Sequence, residues 1–216
     1  LAERQLSVAT IKRFGLGYSP EKGNNLVRHL LSLGFGEDEI KTAYLGGKND
    51  FGYYDYFRGR VMFPIIDVSG NVIAFGGRII DSAKSDRKYL NTSDTPAFKK
   101  TKNLYALNYA KNTKDGYFIL CEGYMDVIAM HAAGFGMAVA SLGTAFTSEQ
   151  ARVIKKYVDK VILSYDNDEA GQKAANRAIG ILDPAGIEAK VLKMSGAKDP
   201  DEYIKKFGAA EFKKLI

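Results

Sequence analysis

The chain has 216 residues, 46% of them hydrophobic, and its 31 basic and 25 acidic side chains give a net charge of +6. This composition is that of an ordinary globular protein, and no apolar run is long enough to span a bilayer, so we expect no membrane contact. The single cysteine, Cys121, excludes an internal disulfide and favours the reducing cytoplasm as the location. Because the chain starts without a methionine or a signal peptide, we expect a fragment of a longer protein.

The positive charge is unevenly distributed along the chain. Residues 1–115 hold 18 basic and 12 acidic side chains, whereas residues 116–216 hold 13 of each. A basic half beside a neutral half indicates a surface that binds a polyanion. A solvated basic surface with no partner would give the same count.

The first half is predicted to mix helices and strands. Three short helices are expected near residues 8–14, 26–33 and 38–45, each followed by glycine. The segment "RVMFPIIDVSGNVIAFGGRII" contains two apolar runs around a polar turn and predicts a β-hairpin. The polar, basic segment of residues 81–107 is expected to be an ordered surface loop, because its aromatic and leucine side chains supply anchors.

The second half alternates between strand and helix patterns. Strands are predicted at residues 117–121, 137–141, 161–163 and 188–194, with helices at 124–133, 151–157 and 169–182 between them. Thr147 and Gln150 form a capping-box pattern at the start of the second helix. Strands joined by single helices predict a parallel sheet with right-handed crossovers.

Acidic residues follow three of these four strands. Because the carboxyl ends of parallel strands lie at one edge of a sheet, these side chains are expected on a common rim. Clustered carboxylates repel one another unless a cation compensates them, and hard oxygen ligands favour Mg²⁺ or Mn²⁺. The five candidate metal ligands are Glu122, Asp166, Asp168, Asp199 and Asp201.

A purely structural explanation exists for most of these acids. Asp166 or Asp168 can cap the helix that follows, and Asp199 followed by Pro200 is a strong helix-start signature. Glu122 lacks such an explanation, because a charged residue ending an apolar strand contributes little to packing. Asp126 is interpreted as favouring the first turn of its helix electrostatically.

Zinc is not favoured by the residues present. One cysteine and two histidines show no spacing typical of a zinc site. His131 lies on an apolar helix and is interpreted as a packed or surface side chain rather than a ligand.

Several longer motifs narrow the interpretation. A glutamate after one strand, "DND" after another and "DPD" after the next resemble the Toprim domain of primases, topoisomerases and related nucleases. The segments "EGYMDVIAMHAAGF", "AVASLGTAFT", "SYDNDEAG" and "KDPDEYI" resemble the bacterial replicative DNA primase of the DnaG type. The first half agrees, since "RFGLGYSP", "YFRGRVMFPIIDVSGNVIAFGGR", "KYLNTSDTPAFKK" and "NLYAL" resemble the RNA polymerase core of that family.

The resemblance implies an α/β fold, with a mixed α+β N-terminal subdomain followed by a Rossmann-like parallel-sheet Toprim domain. It implies a basic subdomain at residues 1–115, the Toprim domain at 116–198, and the start of a truncated helical subdomain at 199–216. The implied activity is the synthesis of short RNA primers on single-stranded DNA from NTPs. The resemblance also implies a zinc-binding domain and a C-terminal domain that docks on the replicative helicase, and we expect both to lie outside these 216 residues.

The resemblance also implies roles for particular side chains. Glu122, Asp166 and Asp168 would be the catalytic acids, with Glu122 either a metal ligand or a general base. The expected contacts to the incoming nucleotide are Arg4, Arg78, Lys88, Asn91 and Lys100. The expected contacts to DNA are Arg58, Arg60 and Lys102, although Arg58 and Arg60 also fit as surface charges of the hairpin.

Two other interpretations stay open at this point. One is another Toprim enzyme, a nuclease or a fragment of a topoisomerase, which would share the acids. The other is a non-catalytic nucleic-acid-binding module whose acids only cap helices, and which would bind nucleic acid without any dependence on metal.

Overall fold

The computed structural model describes residues 6–80 and 88–216. These residues form two compact units. The N-terminal unit comprises Ile11–Ile65 and Val72–Lys99, and the C-terminal unit comprises Lys100–Ile216 together with Ile66–Asn71 and the residues up to Thr10. The predicted domain boundaries after residues 115 and 198 stay predictions.

Short strands dominate the first hundred residues. The elements there are α1 (Val8–Phe14), β1 (Gly17–Ser19), α2 (Asn25–Ser32), α3 (Glu37–Thr42), β2 (Gly46–Asn49), β3 (Gly52–Asp55), β4 (Arg60–Ile66), β5 (Val72–Ile79) and β6 (Tyr89–Asn91). One sheet has the order β1-β4-β5-β6, and β2 pairs with β3 in a separate antiparallel ribbon. The three predicted helices and the β4–β5 hairpin are confirmed. Residues 81–87 of the predicted surface loop lie outside the described residues.

A buried carboxylate holds the start of α2. The Asn24 side chain makes no capping hydrogen bond, so another group must accept from the free N–H groups of the first turn. Asp55, at the end of β3, is 4% exposed, and its two oxygens accept from the N–H groups of Leu26 at 3.1 Å and Val27 at 2.9 Å. A negative charge at a helix N-terminus is also favourable electrostatically.

The C-terminal unit is a parallel sheet flanked by helices. Its elements are α4 (Leu107–Ala110), β7 (Tyr117–Cys121), α5 (Tyr124–Ala132), β8 (Ala138–Ala140), α6 (Ser148–Ile154), β9 (Lys160–Ser164), α7 (Glu169–Leu182), β10 (Glu188–Val191), α8 (Pro200–Phe207) and α9 (Ala209–Leu215). The strand order is β10-β9-β7-β8, with parallel pairing throughout. The predicted alternation of strands and helices is confirmed. Within the described part of the chain, no helix has the length and apolar character needed to cross a membrane.

Local signals in the sequence set the helix ends in this unit. The Thr147 hydroxyl accepts from the N–H of Gln150 at 3.1 Å, while the Gln150 side chain accepts from the N–H of Thr147 at 3.1 Å. This reciprocal pair is the predicted capping box at the start of α6. After α5, Gly134 adopts a φ of +96°, which a residue with a Cβ adopts only under strain.

Two titratable residues of this unit are buried for structural reasons. The His131 ring is 5% exposed, and its Nε2 lies 2.9 Å from the carbonyl oxygen of Ala138, which joins α5 to β8. Burial raises the pKa of the Cys121 thiol well above its usual range, so the thiol stays protonated. The expectation that His131 is a packed side chain is confirmed.

Candidate active site

The site begins at the carboxyl ends of β7 and β9. These strands are neighbours, and Cys121 is the register partner of Ser164, so the residues after them leave the sheet at the same level. The backbone N–H of Asp166 donates to Oε1 of Glu122 at 2.9 Å. Glu122 and the "DND" turn are therefore held against each other, as the strand pattern predicted.

The "DND" turn runs directly into α7. The Asp168 side chain accepts from the N–H of Gly171 at 2.9 Å and caps this helix. A Cβ atom placed on Gly171 would lie 2.0 Å from the carbonyl oxygen of Asp166 and 3.0 Å from Oε1 of Glu122. Only glycine allows the helix start to approach the turn this closely. The predicted capping role of Asp168 is thus present, and it places the carboxylate on the same rim.

Asn167 connects this turn to the loop between β10 and α8. Its backbone N–H donates to the carbonyl oxygen of Lys198 at 2.8 Å, and its side-chain amide donates to the carbonyl oxygen of Met194 at 3.2 Å. Asp199 follows at once and caps α8 by accepting from the N–H of Glu202 at 2.7 Å. The acids after β9 and after β10 are therefore brought to one edge of the sheet.

Asp126, on the first turn of α5, lies near Asp166, Asp199 and Glu122. Its Oδ2 accepts from the N–H of Gly123 at 3.1 Å. Burial, with the charges of Asp199 and Asp166 adding to it, raises the pKa of Asp126 to about 7. The sequence interpretation of Asp126 as a helix-dipole residue missed this proximity. The available signal was its position four residues after Glu122, at the start of a helix that returns over the sheet.

The pKa of Glu122 is raised for similar reasons. Burial raises the pKa of Glu122, and the neighbouring charges of Asp166 and Asp168 raise it further, against the opposing effects of the Asp166 N–H and of Lys198. Nearby negative charges thus oppose the ionisation of Glu122 and of Asp126. A divalent cation relieves such repulsion more effectively than a single lysine does.

Lysines pair with two of the predicted acids. Nζ of Lys198 lies 3.8 Å from Oδ2 of Asp166, and Nζ of Lys205 lies 2.7 Å from Oδ2 of Asp201. In residues 6–80 and 88–216, no three acidic, histidine or cysteine side chains converge closely enough to hold a metal ion as they stand. The donor set nevertheless suits a hard divalent cation, because it consists of carboxylate oxygens.

Glu122 also lines a cleft. The cleft has a volume of about 310 Å³ and lies between the loop after β8 and one face of α7. The polar residues that line it are Glu122, Ser141, Thr144, Tyr165, Lys173 and Arg177. Glu122 is therefore shared between the acids described above and a cleft that carries two cationic side chains.

The predicted nucleotide-binding residues lie on two units. In the N-terminal unit, Arg78 is the register partner of Tyr89, and its guanidinium lies 5.8 Å from the centre of the Tyr89 ring. Asn91 is opposite Gly76 on the same face of these two strands, and Lys88 is exposed just before β6. Lys100 belongs to the C-terminal unit. Arg4 lies outside the described residues.

The three predicted DNA contacts differ in exposure. Arg58 and Lys102 are exposed, and Nζ of Lys102 lies 3.6 Å from a carboxylate oxygen of Glu149. Arg60 is only 7% exposed and donates to the carbonyl oxygen of Gly77 at 3.2 Å. The Arg60 guanidinium is thus used to join β4 to β5, a role that the sequence did not indicate.

Comparison with known proteins accounts for most of the chain. A family model described as "DNA primase catalytic core, N-terminal domain" matches residues 1–111, and a Toprim-like model matches residues 119–204. DNA primase of Clostridium acetobutylicum is 45% identical over 215 residues, which is 99% of this chain and 36% of the relative. DNA primase of Aquifex aeolicus is 40% identical over 220 residues, covering 99% of this chain and 43% of the relative. The chain thus spans well under half the length of these relatives.

Solved structures agree. The zinc-binding and RNA polymerase domains of Aquifex aeolicus primase superpose with a TM-score of 0.92 at 39% identity, covering 99% of this chain and 53% of that one. A DnaG primase catalytic domain bound to single-stranded DNA superposes with a TM-score of 0.88 at 35% identity, covering 100% and 68%. The predicted fold class is confirmed, including the Toprim domain. The chain belongs to the DnaG family of DNA primases and matches the catalytic core of that family.

Proposed function

We propose that this chain carries the catalytic site of a DNA primase, a DNA-directed RNA polymerase that makes short RNA primers on single-stranded DNA for replication. The observation that carries the proposal is the group formed by Glu122, Asp126 and Asp166 at the carboxyl edge of the parallel sheet. Their burial and mutual charge raise the pKa values of Glu122 and Asp126, as expected of a site that has to hold cations.

The acidic group would hold Mg²⁺ or Mn²⁺. We assign the ligand role to the five predicted acids, Glu122, Asp166, Asp168, Asp199 and Asp201, and add Asp126 to them. A bound divalent cation supplies positive charge to the triphosphate and lowers the pKa of the attacking 3′-hydroxyl. The N–H of Asp166 fixes one oxygen of Glu122, so its other oxygen is the one available as a ligand or as a general base.

Basic and amide side chains would hold the substrate phosphates. We assign the incoming NTP to Arg4, Arg78, Lys88, Asn91 and Lys100, since guanidinium and ammonium groups bind phosphate oxygens through charge-assisted hydrogen bonds. Stacking of Arg78 on Tyr89 restricts the guanidinium before a ligand arrives. For the DNA template we assign Arg58 and Lys102. Arg60 is assigned an indirect contribution to template binding, because it holds β4 and β5 together.

The partners proposed for the whole protein are single-stranded DNA, NTPs and the replicative helicase. A related DnaG catalytic domain is described as bound to single-stranded DNA, which supports the first of these. The related Aquifex aeolicus structure names a zinc-binding domain apart from the RNA polymerase domains, which supports zinc in a separate domain. We place the protein in the cytoplasm, where replication proteins of this family act.

The competing interpretations are not favoured. A nuclease or a topoisomerase fragment would share the Toprim fold, but residues 1–111 match the primase core model. A non-catalytic module would explain the caps made by Asp168 and Asp199. Asp126 likewise accepts from the N–H of Gly123 in the capping box of α5. A non-catalytic module does not explain Glu122, whose side chain caps no helix among the described residues and accepts from the N–H of Asp166.

The proposal is tested by calorimetric titration of Mn²⁺ into this chain and into Asp166→Asn, with and without ATP. Mn²⁺ binding should weaken at least about tenfold in the variant, because an amide does not supply the negative charge that the ion requires. ATP binding by the unmodified chain should depend on Mn²⁺.

Asp183→Asn is the matched control for this titration, since Asp183 is an exposed carboxylate at the end of α7. It should bind Mn²⁺ as the unmodified chain does. Equal Mn²⁺ titrations for Asp166→Asn and the unmodified chain would leave the acids as helix caps and contradict the catalytic proposal.

A further inference from the structure

The cleft beside Glu122 contains a pair of cations that the proposed function does not use. Lys173 and Arg177 are one helical turn apart on α7, both exposed and both on the wall of the cleft. Side chains at positions i and i+4 of a helix project from the same face, with about 5–6 Å between their Cβ atoms. The pair therefore presents two positive charges to one ligand.

Neither cation is firmly held by the protein. Lys173 contacts Oε1 of Glu169 at 2.5 Å, but both side chains of this i,i+4 pair are at least 75% exposed, and such pairs contribute little to stability. Among the described residues, Arg177 has no acidic partner. Both charged groups are exposed and can contact an anionic ligand in place of solvent.

Two residues with hydroxyl groups line the same cleft. Ser141 and Thr144 lie in the loop after β8, where Gly143 adopts a φ of +70°. Hydroxyl groups and cations are the side-chain groups that bind phosphate oxygens. The proposed nucleotide contacts Arg78, Lys88 and Asn91 are not among the residues that line this cleft.

We infer that the cleft binds the sugar–phosphate backbone of the strand being extended, with Lys173 and Arg177 each contacting one phosphate. This inference rests on the proposed function, because that function requires a strand with a 3′-hydroxyl at the acidic group. The phosphates just upstream of that hydroxyl have to lie beside Glu122, and Lys173 and Arg177 line the same cleft as Glu122. The two cations are one helical turn, about 5.4 Å, apart along α7, so each can contact a different phosphate of one strand.

The test compares Lys173→Gln/Arg177→Gln with the unmodified chain by fluorescence anisotropy. The probes are a labelled RNA–DNA hybrid with a recessed RNA 3′ end and the same DNA as a single strand. Affinity of the variant for the hybrid should fall at least about fivefold at low salt. The slope of log affinity against log salt should become shallower by about 1.5, which is the loss of two phosphate contacts.

Two further variants act as controls. Arg152→Gln/Lys156→Gln removes the same charge from exposed positions at and just after the end of α6 and should keep the hybrid affinity. Lys173→Arg/Arg177→Lys retains both charges and should also keep it. Unchanged melting temperatures for all three variants would show that each is folded.

The outcomes separate this inference from the proposed function. Equal losses in Lys173→Gln/Arg177→Gln and Arg152→Gln/Lys156→Gln would overturn the inference and leave the proposed function standing. Weaker binding of ATP with Mn²⁺, while hybrid binding stays constant, would overturn it in favour of a free-nucleotide subsite. Failure of the unmodified chain to bind either probe would overturn the inference together with the proposed function.

Discussion

The carboxyl group of Asp126 shows how the fold changes the chemistry of a single residue. An aspartate in an unfolded chain titrates near 3.8, whereas in the fold burial and the nearby Asp199 and Asp166 raise the pKa of Asp126 to about 7. Between these two values the folded protein binds a proton that the unfolded chain does not. The free energy of unfolding therefore falls as the pH rises from about 4 to about 7, and stays lower above that range.

Replacing Asp126 by Asn should remove this pH-dependent loss of stability. Asn resembles the protonated carboxyl group and can still accept from the N–H of Gly123. The melting temperature of Asp126→Asn, measured by circular dichroism, should therefore exceed that of the unmodified chain by much more at pH 8 than at pH 4.5. Asp183→Asn, at an exposed position, should show no such difference. A constant offset between Asp126→Asn and the unmodified chain at every pH would contradict the assignment.

The sequence predicted five acids on one rim, and the structure adds Asp126 beside them. Glu122, Asp166 and Asp168 were predicted there because they follow strands whose pairing could be anticipated, and Asp199 and Asp201 because they follow the last strand after a short loop. Asp126 was not predicted as a member, since a carboxylate in a first helical turn is ordinarily a favourable charge at a helix N-terminus. Its surroundings depend on Asp166 and Asp199, which tertiary structure brings near it.

At the scale of elements, the start of α7 is the tightest point of the site. The backbone at Gly171 approaches the carbonyl group of Asp166 so closely that no side chain fits between them. Gly180 lies on the same helix with nothing within 4 Å of the position of its absent Cβ. The two glycines therefore allow a comparison within one element.

Gly171→Ala should destabilise the protein by about 1–3 kcal/mol, the usual effect of forcing extra atoms into a packed region. It should also weaken Mn²⁺ binding, because the Asp166 turn has to move. Gly180→Ala should instead stabilise the helix by up to about 1 kcal/mol, since alanine is the better helix former. Guanidinium unfolding measures both effects, and equal effects of the two substitutions would contradict the role assigned to Gly171.

The elements that the sequence did not predict are mostly short strands. The strands of the parallel sheet gave apolar runs, and β4 and β5 flanked a recognisable turn. By contrast β1, β2, β3 and β6 have three or four residues each, and their glycine, tyrosine and asparagine residues do not alternate clearly between polar and apolar. Such strands are specified by their partners more than by their own sequence.

At the scale of the whole molecule, the excess positive charge lies within residues 1–115. If these charges contact phosphates, DNA affinity should fall linearly with log salt, by about 0.7 per contact on a single strand. If they form only a solvated surface, each exposed cation should contribute weakly and equally to the salt dependence of DNA affinity.

The variant Arg58→Gln/Lys102→Gln should make the salt dependence of single-stranded DNA binding shallower by about 1.4, since two proposed DNA contacts are removed. Lys22→Gln/Arg28→Gln removes the same charge from exposed positions in the basic half of the chain and should leave the slope unchanged. Anisotropy titrations between 50 and 300 mM salt, about the range in which such effects are resolved, measure both. Equal slopes for the two variants would favour a diffuse basic surface.

The attachment of Asn167 to the carbonyl groups of Met194 and Lys198 has a consequence for interpreting every charge substitution at this site. The distance between the two acid-bearing loops is set by backbone acceptors, and no carboxylate takes part in those two hydrogen bonds. Replacing Asp166 or Asp201 by asparagine therefore leaves both hydrogen bonds in place, whereas replacing Asp199 also changes the cap of α8. Loss of ligand binding in the Asp166 and Asp201 variants then reports on the missing negative charge and not on separation of the two loops.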